Sequence, residues 1–583
     1  MEFKIARRAL PDNVPPLSGE LHPVLERVYR ARNVTSLDDL DYKLTRLHQF
    51  DLLSGMSAAV ELLEHALLQQ QRVLIIGDFD ADGATSSALA VRALRQFGFK
   101  HVDYLVPNRF EFGYGLTPEI VTVAADFNPQ LIVTVDNGIS SVDGVNAAHQ
   151  RGIKVLVTDH HLPGAHLPAA DATVNPNFPG DVFPSKSLAG VGTIFYVMLA
   201  LRTHLRESNY FAKHNIAEPN LAELLDLVAL GTVADVVSLD KNNRIMVAQG
   251  LARIRAGKCC AGIKAIIQVA GRQVERLVAT DLAFAVGPRL NAAGRIEDMA
   301  IGIECLLCDD PQKALQLAAT LDDLNRERKE IEAGMKDQAL QIINRMQLDE
   351  NAELPLGLSL YDPDWHQGVI GIVASRIKDK LHRPVIAFAD AGEDAVTGLA
   401  VIKGSARSIP GIHIRDVLDT VAATHPQLLK KFGGHAMAAG MSIYQKDFAA
   451  FSAVFNEAVD RQLDRKDLYH VVYSDGELQE DDINLELAQQ LRQAGPWGQG
   501  FAEPLFDGEF EVVDRRVIGE RHLKFVLKVP GGKKRVEALA FFVSDISWLQ
   551  GAEKIRLAYT LDINEYNGLR SVQFIIKHAQ AVA

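Results

Sequence analysis

The apolar and polar positions change period several times along the chain, and each change marks a change of element. Residues 1–70 read as polar and helical, ending in the amphipathic stretch "SAAVELLEHALL" (57–68). "RVLIIG" (72–77) is a short unbroken apolar run, the signature of a strand buried on both faces. The stretch 84–98 then predicts a helix stopped by Gly98. Further buried strands follow at "VDYLV", "LIVTVD" (131–136) and "KVLVTD" (154–159), with a helix over 141–152. Strands alternating with helices predict a doubly wound parallel sheet.

Residues 186–260 are mostly helical in pattern. From 311 to 346 one long period-3.6 stripe holds Leu317, Leu321, Leu324, Ile331, Met335, Ile342 and Met346 between dense charges, predicting a connector helix. A smaller α/β region spans about 355–460. Five short strands separated by turns fill the end of the chain and predict an OB-like β-barrel. The expected organisation is an α/β multidomain chain: an N-terminal helical segment (1–50), a catalytic domain (51–305), a connector (306–350), a smaller α/β domain (351–462) and a barrel domain (463–583).

Composition narrows the class. At 583 residues the chain is too long for one core. Its 48% hydrophobic and 23% charged content is that of ordinary globular protein. The net charge of −13 excludes a globally basic nucleic-acid binder but not a local basic channel. No apolar run approaches the ~18 residues of a membrane span, and "MEFKIARRALPDNVPP" has no signal-peptide core. The expected compartment is the cytoplasm, without membrane partners. Four cysteines imply no disulfide framework. They pair as Cys259-Cys260 and Cys305/Cys308 in apolar helical contexts, which favours buried thiols over zinc.

Chemistry gathers at the carboxyl ends of the predicted strands, where ligands bind in doubly wound sheets. "RVLIIG" runs into "DFDADG", with Asp78, Asp80 and Asp82. "LIVTVD" ends at Asp136, and "KVLVTD" at Asp159, followed by His160 and His161. A later helical segment, "LGTVADVV", offers Asp235 among apolar residues. "DFDADG" also begins like an EF-hand loop, but position 12 is Leu89 instead of Glu and a strand precedes it. Clustered carboxylates repel one another, and divalent cations relieve that cost. Oxygen donors with an imidazole suit manganese or magnesium, and more than four donors suit two ions sharing a carboxylate.

"DFDADG", "VDNG" (135–138), "DHH" (159–161) and "GTVADVV" (231–237) resemble, in order, the four motifs of the DHH phosphoesterase superfamily. "GSARS" (404–408) and "FGGHAMAAG" (432–440) resemble its associated DHHA1 domain. The whole arrangement, with "GPRLNAAGR" (287–295), "WHQGVIGIVASR" (365–376) and the barrel, is similar to the RecJ branch of that superfamily. The resemblance implies a metal-dependent 5′-to-3′ exonuclease that degrades single-stranded DNA to 5′-mononucleotides in repair and recombination. It implies two divalent cations, Mn²⁺ or Mg²⁺, held by Asp80, Asp82, Asp136, His160 and Asp235, with Asp136 as the bridge. Asp78 is either a ligand or a group that orients one. Asp159 supports the histidines, and His161 meets the scissile phosphate or aids proton transfer. A single-stranded-DNA-binding protein, a helicase and a monomeric state are implied as well.

An exonuclease must also hold a strand end. Arginine forks, hydroxyls and backbone amides suit a terminal phosphate. The candidates are Ser405 and Arg407, two apart on an extended segment, with Arg109, Tyr114, Arg289, Asn291, Arg295 and His435. In the barrel, residues 511–535 carry eight Lys or Arg against three acids, a local net of +5. Arg516, Arg521, Lys524, Lys528, Lys533, Lys534 and Arg535 are the cationic candidates for binding the strand, with Phe525, Phe541 and Phe542 as stacking surfaces. The aromatics serve equally well as barrel core. The competing readings are a phosphoesterase for short oligonucleotides, cyclic dinucleotides or pyrophosphate, and a non-catalytic scaffold. The long connector and barrel argue against the first, and the complete acidic motifs against the second.

Overall fold

The structure is a computed structural model that describes residues 3–11, 15–17, 21–108, 115–347, 354–463, 470–519, 522–541, 552–566 and 568–582. The chain divides into two compact units, residues 7–323 with 473–583, and residues 324–472 with the first six.

The first unit holds a five-stranded parallel sheet in the order Val102–Leu105, Val73–Gly77, Leu131–Val135, Lys154–Thr158, Ala172–Val174. On one face Leu74, Ile76, Ile132, Val155 and Val157 pack with Ile120, Val121, Val145 and Ala148 of two helices, Pro118–Ala124 and Val142–Gln150. Helices Ala81–Phe97 and Gly190–Glu207 pack against the sheet as well. The unbroken apolar runs are thereby explained, because both faces of each central strand are covered. Gly77, Val135 and Thr158 pair across neighbouring strands, so the residues that follow them emerge side by side.

The same unit contains a closed five-stranded barrel, ordered Phe506–Ile518, His522–Lys528, Arg535–Ala540, Leu569–Ala581, Lys554–Tyr566. Phe506, Phe510, Phe525, Tyr559 and Phe574 fill it, with the Tyr559 and Phe574 rings 3.9 Å apart.

The second unit is a mixed five-stranded sheet, ordered Lys431–Gly434, Ala438–Tyr444, Ala400–Arg407, Val385–Glu393, Leu358–Tyr361, with three packed helices. The long helix Pro311–Gln347 contains the division between the units.

The N-terminal segment departs from the helical expectation. Phe3–Arg7 is a strand paired with His470–Ser474, and among the described residues only Pro23–Arg30 forms an α-helix before Met56–Leu68. Between them lie single 3₁₀ turns at 37–40, 44–46 and 50–52. A five-residue strand with a partner more than 460 residues away leaves only the brief Phe3/Ile5 alternation as a local sign.

Candidate metal centre

The centre is built by chain ends that converge. Strand Val73–Gly77 delivers Asp78, and the chain turns at once into helix Ala81–Phe97. Asp80 is the cap of that helix, accepting from the Asp82 and Gly83 amides at 2.8 and 3.1 Å. The helix thus starts three residues before the expected 84, and Gly83 lies inside it. There it makes room, since a Cβ would sit 2.4 Å from the Asp78 carbonyl oxygen.

Asp82 is buried, and its two oxygens accept the amides of Gly190 (2.6 Å) and Val191 (2.9 Å), the first turn of an 18-residue helix. The positive end of that helix faces the carboxylate cluster. Glycine is required at 190, because a Cβ would fall 2.5 Å from that of Asp136. Asp136 follows strand Leu131–Val135 in a left-handed conformation (φ 62°). Asp235 caps the end of helix Leu225–Ala234.

His160 Nε2 lies 3.0 Å from Asp136 Oδ1, 3.5 Å from Asp235 Oδ2 and 4.0 Å from Asp82 Oδ2. The donors form three groups whose atoms lie within 4.8 Å of one another: Asp78/Asp80/Asp136, Asp82/His160/Asp235, and Asp136/His160/His161. Asp136 belongs to two of them. His160 Nε2 and Asp235 Oδ2 are buried with no hydrogen-bond partner among the described residues, an arrangement that fits a bound cation. Among the described residues no cysteine enters such a group.

The electrostatics agree. Burial, then the charge of Asp235, pushes the Asp82 carboxyl up to about 7. Burial, then Asp80, does the same for Asp235, also to about 7. Asp136 lies well above the carboxylate range through burial and the charges of Asp82 and Asp80. Burial and the neighbouring His161 hold His160 below its usual value. This is a nest of carboxylates that cannot all ionise without a countercharge.

Asp159 plays a different part. Its Oδ1 accepts from the His160 and His161 amides and lies 2.7 Å from His161 Nδ1, while Oδ2 accepts from Ile139 N at 2.9 Å. Burial opposes its ionisation, but these bonds and the His161 charge hold it below the usual range. For His161, burial lowers the pKa, and the Asp159 hydrogen bond and charge outweigh it, lifting the ring to about 9. Asn177 and Asn175 donate to the His160 and His161 carbonyls at 2.7 and 3.0 Å. The sequence reading missed this pair, though the "NPN" turn soon after "DHH" was visible.

The other candidates are distributed as follows. Arg109 and Tyr114 lie outside the described residues. Asn291 accepts the Ala81 amide through its side-chain oxygen at 2.8 Å. Arg289 is paired with Asp322 at 2.7 Å. Arg295 is half-buried in the last turn of helix Gly287–Ile296. In the second unit, Ser405 and Arg407 share one face of strand Ala400–Arg407, with Arg407 Nη1 donating to Ser405 Oγ at 3.0 Å. Gly371, in the first turn of helix Ile370–Leu381, leaves the space they occupy, since a Cβ there would lie 2.8 Å from both. His435 is exposed between the hairpin strands Lys431–Gly434 and Ala438–Tyr444.

On the barrel, Arg516, Lys533 and Arg535 are exposed. Lys524 is paired with Glu537 at 2.5 Å and Lys528 with Glu511 at 2.9 Å, while the Lys533 and Lys534 amides are held by Glu480. Phe525 is 1% exposed and belongs to the core, so it offers no stacking surface. Phe541 is half exposed and meets the His522 ring edge-on at 5.4 Å. Arg521 and Phe542 lie outside the described residues. No helix among the described residues is long and apolar enough to cross a membrane.

Three family models match the chain: the DHH family, N-terminal domain, over residues 72–232, the DHHA1 domain over 355–461, and the RecJ OB domain over 474–578. The chain is 54% identical to the single-stranded-DNA-specific exonuclease RecJ of Dickeya dadantii, over 98% of this chain and 97% of that protein. It is 53% identical to the RecJ of Escherichia coli, over 99% and 98%. The crystal structure of Thermus thermophilus RecJ in complex with Mn²⁺ matches 97% of this chain and 76% of that one, at 30% identity and a TM-score of 0.77.

Proposed function

The chain belongs to the RecJ family of single-stranded-DNA-specific exonucleases, and from that premise we propose that it hydrolyses single-stranded DNA from the 5′ end, releasing 5′-mononucleotides. The observation that carries the reading is the chain of three donor groups, Asp78/Asp80/Asp136, Asp136/His160/His161 and Asp82/His160/Asp235, linked through Asp136 and His160. In this reading Asp78, Asp80 and Asp136 would hold one cation and Asp82, His160 and Asp235 the other, with Asp136, 3.0 Å from His160 Nε2, placed to serve both. Mn²⁺ or Mg²⁺ bound there supplies the positive charge that stabilises the phosphoryl oxygens and lowers the pKa of water.

The chain's own groups then orient the strand. Asp159 fixes the His161 ring through Nδ1, which leaves Nε2 to donate to an oxygen of the scissile phosphate. A hydrogen bond from that ring nitrogen to a charged phosphate oxygen is worth about 1.5–3 kcal/mol. Ser405 and Arg407, with the amides opening helix Ile370–Leu381 of the same unit, form the clamp for a 5′-terminal phosphate. Arg516, Lys533 and Arg535 steer the rest of the strand. Such a clamp sets the direction of digestion. We retain a monomer as the working state, with a single-stranded-DNA-binding protein and a helicase as partners.

The test is a single-stranded oligonucleotide labelled at either end, digested with Mn²⁺ or Mg²⁺. The 5′ label should leave at once as mononucleotide and the 3′ label only at the end. Asp136→Asn should abolish release while single-strand binding persists. Retained activity would falsify the metal assignment. Early 3′ release would overturn the polarity.

A further inference from the structure

Beyond the metal nests, one exposed feature beside them is unused by the mechanism. Residues Leu282–Val286 form a π-helical turn, a rare conformation that concentrates at functional sites. Leu282, Ala285 and Val286 are buried at 0%, 4% and 0% exposure, yet Phe284 between them is 79% exposed. The turn is therefore anchored by its neighbours while one large aromatic ring stands in solvent. At the end of this turn, Gly287 abuts Ala234, whose Cβ would lie 3.1 Å from an added Cβ. Ala234 immediately precedes Asp235. On the other side of Asp235, Val236 is 62% exposed and held at φ 63°, a conformation that β-branched residues avoid. Phe284 thus stands three residues before the glycine that abuts Ala234, and Val236 directly follows Asp235, each a solvent-facing apolar side chain on a constrained backbone. Strain of this kind persists only where the surroundings impose it, and it collects at binding sites.

We propose that Phe284 and Val236 form an apolar lip that receives the face of a nucleobase as the strand enters the centre. This rests on the exonuclease reading. The substrate is the fitting occupant because the lip adjoins the hydrolytic centre and because every base offers a flat apolar face whatever its sequence. Interior bases of a duplex have both faces stacked and cannot use the lip, so it also favours single strands. Phe284 acts here as a positioning residue, placing the backbone without touching the reacting atoms.

Stacking of a base on an aromatic ring is worth about 5- to 150-fold in affinity. With the full-length enzyme and Mn²⁺, Phe284→Ala should raise KM for a single-stranded oligonucleotide about tenfold and leave Mn²⁺ affinity unchanged. Phe284→Tyr and Phe284→Trp should stay near the parent. Oligonucleotides with one abasic position, walked along the strand, supply the readout that a structural role would not move. At one position the parent enzyme should lose the same factor, and Phe284→Ala should lose nothing more. Should Phe284→Ala melt early, Phe284→Leu carries the same expectation with the volume kept. The inference is overturned if KM is unchanged, if the two losses multiply at every position, or if an effect appears only when a second protein is added, which would mark a protein-docking surface. Failure of the parent enzyme to digest any single strand would instead overturn the exonuclease reading itself.

Discussion

The side-chain oxygen of Asn291 accepts the backbone N–H of Ala81 at 2.8 Å, which fastens helix Gly287–Ile296 onto the turn that carries Asp78, Asp80 and Asp82. The contact spans 210 residues of sequence. It makes Asn291 a support of the metal centre, and that predicts a distinctive phenotype. Asn291→Ala should weaken Mn²⁺ binding about 10- to 100-fold, as loss of a group that orients ligands does. KM for DNA measured at saturating metal should barely move. Calorimetric metal titration beside steady-state kinetics separates this from a DNA contact, which would raise KM and spare metal affinity.

Asp136 occupies a left-handed backbone position (φ 62°), which asparagine tolerates far better than alanine does. Asp136→Asn is therefore the cleaner probe. It should cost at least about 10²- to 10³-fold in rate, the scale of losing one preorganised charge-stabilising group. In EDTA the same variant should melt higher than the parent, because one of several repelling carboxylates is gone. A melting temperature that falls in EDTA would show that the Asp136 charge stabilises the metal-free fold.

The raised carboxyl pKa values give a pH dependence with a definite sign. Asp82 and Asp235 rise from 3.8 to about 7 on folding. The folded chain thus binds protons more tightly than the unfolded one. Their contribution to stability is complete below about 3.8 and is lost as pH rises towards about 7. Cations require the deprotonated carboxylates and relieve the repulsion. The rise in melting temperature on adding Mn²⁺ should accordingly be small at pH 5.5 and grow through pH 8. An equal rise at both values would exclude these two carboxylates as ligands.

The catalytic sheet was legible because its strands are short apolar runs, and runs buried on both faces need no periodicity to be recognised. The convergence of Asp78, Asp136 and Asp159 followed once those strands were adjacent, which the observed order makes them. The facing of Phe525 was legible too, since Leu523, Phe525 and Leu527 share one parity and Lys524 and Lys528 the other. The strand Phe3–Arg7 and the Asn291–Ala81 bond were not, because both depend on partners hundreds of residues away. Nor was the pairing of Lys524 with Glu537, which the strand register decides. It removes one cation from the surface that the local charge had suggested. The barrel also shares a compact unit with the catalytic sheet, so charge reversal at Arg516 and Arg535 tests its DNA binding more cleanly than deletion.

Val236 offers a test of whether the centre carries strain. A β-branched residue at φ 63° costs roughly 1–2 kcal/mol relative to one suited to that region. Its side chain is 62% exposed, so little packing is lost by changing it. Asparagine adopts the left-handed conformation readily. Val236→Asn should therefore raise unfolding stability by about 1 kcal/mol, read as a higher denaturant midpoint with an unchanged slope. It should also raise KM for single-stranded DNA a few-fold, because the proposed apolar lip loses one of its two side chains. Stability gained at the expense of substrate binding would show that the strain is retained for function. An unchanged midpoint would show that the surrounding turn holds Val236 without strain.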